Sequence, residues 1–196
     1  MKVKNSEEEI LEQQEAQISN DYIEKINLDL LKSRTIIFND YIETDIIYKV
    51  YYPLTKLIKD DPNKPIHLYL NTYGGNAHSA LFISSFILTS KTPIYTYATG
   101  ACFSGGGLIL ASGHKRFAYK YSMIMIHKST VEDLEKAHSD GIQSQLEGMK
   151  KLDEHFYDLF TLKTNLNKED LTKKLNVDWY LDPKEALKYK IIDKIL

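Results

Sequence analysis

Apolar positions recur along this chain with two periods, and the switches between them outline its elements. Ile36-Ile37-Phe38 is a short β-branched and aromatic run that predicts a strand. From Asp45 to Lys59, residues Ile46, Ile47, Val50, Leu54, Leu57 and Ile58 fall at helical spacing, with Pro53 predicting a kink or an early break. Asp60-Asp61-Pro62-Asn63-Lys64-Pro65 is a turn by composition. Ile66-His67-Leu68-Tyr69-Leu70 predicts a strand closed by Asn71-Thr72-Tyr73-Gly74-Gly75-Asn76, and a helix follows over about 77–90. Ile94-Tyr95-Thr96-Tyr97-Ala98 is the next strand; Gly100 to Gly107 turns the chain into the apolar Leu108-Ile109-Leu110-Ala111. Two successive strand–glycine turn–helix units imply an α/β fold with parallel strands and right-handed crossovers.

Met123-Ile124-Met125-Ile126 predicts a further buried strand ending at His127. A long helix is expected over about 131–162. Its stripe of Ile142, Leu146, Met149, Leu152, Phe156, Leu159 and Phe160 reads as core or subunit packing. Asp182-Pro183-Lys184-Glu185 has the order N-cap, Pro at N1, Glu at N3. Residues 1–20 hold five Glu and three Gln and few apolar side chains. They read as an acidic tail or a partner-dependent amphipathic helix ahead of a domain spanning 21–196.

Composition narrows the classes. The 196 residues are 43% apolar, enough for a sizeable core. The 25 basic against 27 acidic side chains argue against a nucleic-acid surface as the main theme. A single cysteine, Cys102, excludes an internal disulfide framework and a Cys-rich zinc site. No apolar run reaches 18 residues, and the N-terminus lacks a secretory h-region, so the expectation is a cytoplasmic chain with no membrane partner.

Three features could carry chemistry. A glycine pair after a strand lets backbone N–H groups face an anion, although such pairs also simply make turns. Ser104 sits between Phe103 and three glycines at a strand-to-helix junction. There it either exposes its hydroxyl as a nucleophile elbow does, or caps the helix. His127 ends an apolar strand, at a plausible cleft edge for a proton shuttle or in a structural role. His114, His138 and His155 sit at turn or solvated helix positions. No His pairs with Cys or carboxylates at metal-ligand spacing, so no metal is expected.

Together these features resemble the proteolytic subunit of the Clp protease, a self-compartmentalising serine peptidase. The likeness rests on Asn71-Thr72-Tyr73-Gly74-Gly75, on Gly100 to Gly106 around Ser104 and on Met125-Ile126-His127. It extends upstream to Leu30–Phe38 and Ile66–Asn71, and downstream to Tyr180–Ala186 and Ile191-Ile192-Asp193. The resemblance implies a Clp protease/crotonase-like fold of repeated ββα units with a long protruding helix. It implies Ser104 as nucleophile, His127 as acid–base and the amides of Gly75 and Gly105 as oxyanion hole. It implies no cofactor in this chain, with ATP used by a separate AAA+ unfoldase. It further implies unfolded protein or peptide substrates and a homo-oligomer of stacked rings, which a paralogous subunit could complete.

Three departures stand out. Tyr73 replaces the family's Pro, and Lys128-Ser129-Thr130-Val131-Glu132-Asp133 replaces a glycine pair after the His. A gapless count back from the closing segment puts Lys174 at the triad Asp position. Asp178, Asp170, Asn176 or a backbone carbonyl could orient the imidazole instead, with Asp178 the leading choice. The Lys174 position and the altered segment after His127 motivate an alternative, a catalytically weak structural or regulatory paralogue. A crotonase-like acyl-thioester enzyme is a third reading.

Overall fold

The computed structural model describes residues 22–130 and 139–196. The segment 1–20 and the first turns expected of the long helix, 131–138, lie outside the described residues. The elements in chain order are α1 (22–32), β1 (Thr35–Asn39), a π-helical turn (Ile47–Tyr51) running into α2 (Tyr52–Asp60), and β2 (Ile66–Thr72). Then come α3 (Ala77–Thr89), β3 (Ile94–Phe103), α4 (Gly105–Ser112), β4 (Lys115–Ala118) and β5 (Met123–Ile126). The chain closes with α5 (Ser139–Lys163), α6 (Lys168–Lys174), β6 (Trp179–Leu181), α7 (Pro183–Lys188) and β7 (Lys194–Ile195).

Pro53 explains the π-helical turn. It has no N–H to return to the preceding turn, and the chain is wound wider just before it and resumes as α2 with Pro53 in its first turn.

The seven strands share one sheet in the order β1-β2-β3-β4-β7, with β5 pairing β3 and β6 pairing β5. All pairs are parallel except β5–β6. β2 buries Ile66, Leu68, Leu70 and Thr72 on one face, as a period of two dictates. That face packs on α4, whose eight residues are all buried and which packs in turn on α3. The opposite face carries a row of stacked rings. Tyr69 stacks on Tyr97 at 4.3 Å, and Tyr97 on Phe117 at 4.7 Å, across three strands.

At the β4–β7 edge, Arg116 is only 6% exposed. Its guanidinium donates twice to Asp193 and once to the Lys163 carbonyl, joining the sheet edge to the end of α5. α5 is the expected long helix, about 37 Å at 1.5 Å per residue. Its stripe is buried only towards the C-terminus, at Phe156, Leu159 and Phe160, whereas Leu146 is exposed.

Candidate active site

β3 divides the sheet. Tyr95–Ala98 pair with β4, and Ala101–Phe103 pair with β5. Clefts of open parallel sheets form where neighbouring strands part at their C-terminal ends, and Ser104 follows β3 at that point. Its φ of 54° and ψ of −120° are strained for a residue with a side chain. The Ser104 N–H donates to the Met125 carbonyl at 2.7 Å, which holds the turn against β5. The hydroxyl makes no capping bond to α4, so the helix-cap alternative is not what the side chain does. It meets His127 Nε2 at 2.7 Å.

The β5–β6 ladder accounts for the third group. Ile124 pairs with Leu181, Met125 with Tyr180 and Ile126 with Trp179. The next rung outward is His127 opposite Asp178, and Nδ1 and Oδ1 stand 3.8 Å apart. That is ion-pair range, about 1 Å longer than a hydrogen bond. The Asp178 side chain is 56% exposed and that of His127 21%.

The gapless count leads to Lys174, which stands away from the imidazole. This lysine ends α6, with its ammonium over the Trp179 ring at 4.4 Å and the Tyr189 ring at 4.8 Å, donating to Tyr189 Oη. It packs on those rings, and the carboxylate beside the imidazole is that of Asp178. Asp170 is spent in the capping box of α6, and Asn176 accepts from Lys128 Nζ at 2.9 Å.

The glycine pair lies alongside the hydroxyl. Gly74 and Gly75 have φ of 94° and 138°. The Ile42 N–H donates to Gly74 O at 2.7 Å and the Asn76 N–H to Ile42 O at 2.6 Å, so this loop is held by the chain between β1 and α2. A Cβ on Gly74 would sit 2.7 Å from Ser104 Cβ, and one on Gly75 would sit 2.3 Å from Ile42 O. The Gly75 and Gly105 N–H groups donate to no protein acceptor among the described residues. They border the cleft with Ser104 and His127. Just before Ser104 in the chain, Cys102 is fully buried, and burial pushes its thiol up, so it stays protonated packing.

The cleft encloses about 300 Å³. Met149, Leu152 and Phe156 of α5 form its apolar wall. Phe156 belongs to the core as its helical spacing implies, while Met149 and Leu152 face the cleft, because a helical stripe does not reveal what it covers. The segment after His127 is tied down by Ser129 N–H donating to Asp153 Oδ1 at 2.9 Å. Tyr73, in place of the family's Pro, stacks on Tyr41 and meets the Phe103 ring edge-on at 5.4 Å. Among the described residues, no three His, Cys, Asp or Glu side chains gather into a metal-holding group.

A serine–histidine–carboxylate line at the end of a parallel strand, with glycine amides beside the hydroxyl, is the constellation of a serine hydrolase. The Clp protease family profile matches residues 17–196, and the chain belongs to that family. It is 29% identical over 169 residues to the ATP-dependent Clp protease proteolytic subunit of Deinococcus radiodurans, covering 85% of this chain and 82% of that one. It is 27% identical to proteolytic subunit 1 of Protochlamydia amoebophila, covering 88% and 85%, and 28% identical to that of Prochlorococcus marinus subsp. pastoris, covering 85% of each.

Proposed function

We propose that this chain is a Clp-type serine endopeptidase subunit that hydrolyses peptide bonds by acyl transfer through Ser104. The observation that carries this reading is the 2.7 Å contact between Ser104 Oγ and His127 Nε2 at a strained elbow. Ser104 attacks the scissile carbonyl while His127 takes its proton, a general-base step worth about 10²–10⁴ in rate. The carbonyl oxygen becomes negative and is met by the N–H groups of Gly75 and Gly105, each such donor being worth about 10²–10³. His127 then protonates the leaving amine, and water repeats the sequence on the acyl-enzyme. Asp178 holds the imidazole by its Nδ1 side and stabilises the imidazolium.

These steps use side chains and amides only and call for no cofactor. A cleft of about 300 Å³ admits an extended peptide and no folded domain, which suits unfolded substrates. The chain carries no phosphate-binding lysine loop, so unfolding falls to a separate ATPase of the AAA+ type. Assembly into a homo-oligomer of stacked rings, alone or with a paralogous subunit, agrees with the exposed Tyr48, Tyr52, Phe82, Leu146 and Val177. No helix among the described residues is long and apolar enough to cross a membrane, and we assign the cytoplasm as the working compartment. The weak-paralogue reading rested on Lys174 and on the altered segment after His127; Asp178, 3.8 Å from the imidazole, weakens the first of these motives.

Intact-mass spectrometry after fluorophosphonate treatment tests the reading. One adduct is expected on the wild-type chain and none on Ser104→Ala. No adduct on the assembled wild-type protein would overturn it.

A further inference from the structure

The nucleophile stands beside the glycine pair because β3 carries two residues more than β2 at one place. From Ile66↔Ile94 to Leu70↔Ala98 the paired positions differ by 28; at Thr72↔Cys102 they differ by 30. Asn71 alone on β2 faces Thr99, Gly100 and Ala101 on β3. An even excess preserves the inside–outside alternation, so Thr72 and Cys102 are both buried. It also moves Ser104 level with Gly74; at the earlier offset it would stand level with Asn76.

Side chains replace the ladder bonds that the bulge removes. Thr99 Oγ1 donates to Leu70 O at 3.0 Å. Asn71 Oδ1 accepts from Ala101 N–H at 2.9 Å, and Asn71 Nδ2 donates to Asn39 Oδ1 on β1 at 2.6 Å. One amide therefore ties β1, β2 and β3 together at the point where β3 leaves β4 for β5. A Cβ on Gly100 would sit 2.5 Å from Asn71 Oδ1, so that glycine keeps room for the amide.

We propose that Asn71 is a positioning residue for peptide hydrolysis, its side-chain amide locking the β3 bulge that brings Ser104 level with Gly74 and Gly75. The inference rests on Ser104 being the nucleophile. Misplacement of reacting groups by about 1 Å costs about 10² in rate and leaves remote substrate contacts intact. Asn71→Ala and Gly100→Ala are each expected to lower kcat on a short fluorogenic peptide about 10²-fold, with KM within about threefold. Asn71→Asp keeps the acceptor for Ala101 N–H, and Asn39 can turn its own amide to donate; this variant is expected to recover most of the turnover.

Full-length proteins matched for assembly by size-exclusion chromatography and for melting temperature provide the comparison. Wild-type kcat in folded Asn71→Ala, a rise in KM alone, or an Asn71→Asp variant as slow as Asn71→Ala would each overturn the proposal. Should Asn71→Ala fail to fold, Gly100→Ala decides, and wild-type turnover there overturns it. If the wild-type chain takes no fluorophosphonate, the nucleophile reading fails and the proposal falls with it. Normal labelling with unaffected variants refutes the proposal alone.

Discussion

Replacing Asp178 by Asn asks how much a half-exposed carboxylate contributes to this site. The charge pair that forms when His127 is protonated spans 3.8 Å. Coulomb's law gives about 4 kcal/mol at an effective dielectric of about 20, and about 1 kcal/mol in bulk water. With 56% of the Asp178 side chain exposed, the effective value lies toward the aqueous end, about 1–3 kcal/mol. That range corresponds to about a 5- to 150-fold fall in kcat, well short of the roughly 10⁴ lost with a fully engaged triad acid. The assay is steady-state cleavage of a fluorogenic peptide by the assembled protein, with Lys174→Met as the companion variant. Lys174→Met removes only the ammonium packed over Trp179 and Tyr189, so it should cost about 0.5–2 kcal/mol of stability and leave kcat within about twofold. Wild-type turnover in Asp178→Asn, or an equal fall in Lys174→Met, would refute the assignment of the acid. A loss near 10⁴ would refute the magnitude, since it requires a carboxylate fully desolvated against the imidazole.

Two further perturbations probe the glycine turn and the sheet edge. Gly75→Ala places a Cβ 2.3 Å from Ile42 O in a left-handed backbone region. It should displace the Gly75 N–H and lower kcat about 10²–10³-fold, with unchanged turnover of a folded variant as the contrary result. Burial alone would raise Asp193, but hydrogen bonds from Arg116 and its charge outweigh burial and hold the carboxyl below its ordinary value. Its contribution to stability is therefore full above the ordinary carboxylate range and is lost as pH falls through the depressed value. Asp193→Asn should cost about 1–3 kcal/mol near pH 7, and thermal melts should show that difference closing on acidification; a pH-independent difference would contradict the pairing.

How far these features were legible varied by element. β1, β2 and β5 were readable because a strand's period of two is a local property. The helix after the glycine pair was readable for a similar reason: α3 spans Ala77–Thr89, within a residue of the expected boundary, with Asn76 supplying the cap. Asp182-Pro183-Lys184-Glu185 forms the capping box that its spacing implied. β3 runs five residues past its expected end at Ala98 because Ala101, Cys102 and Phe103 gain partners only when β5 arrives beside them.

The α/β alternation, the glycine turns and the placing of Ser104 and His127 at the ends of apolar strands can all be read along the chain. Each of these depends on residues adjacent in the chain. Tertiary structure alone decided that Ser104 turns its hydroxyl to His127 and leaves α4 uncapped, because His127 arrives on a different strand. It also decided which carboxylate stands nearest the imidazole. Asp178 lies 51 residues beyond His127 in the chain and comes opposite it through an antiparallel ladder whose register no local pattern states. Counting back along the chain led to Lys174; counting rungs across the sheet leads to Asp178, because strand pairing sets which side chains meet.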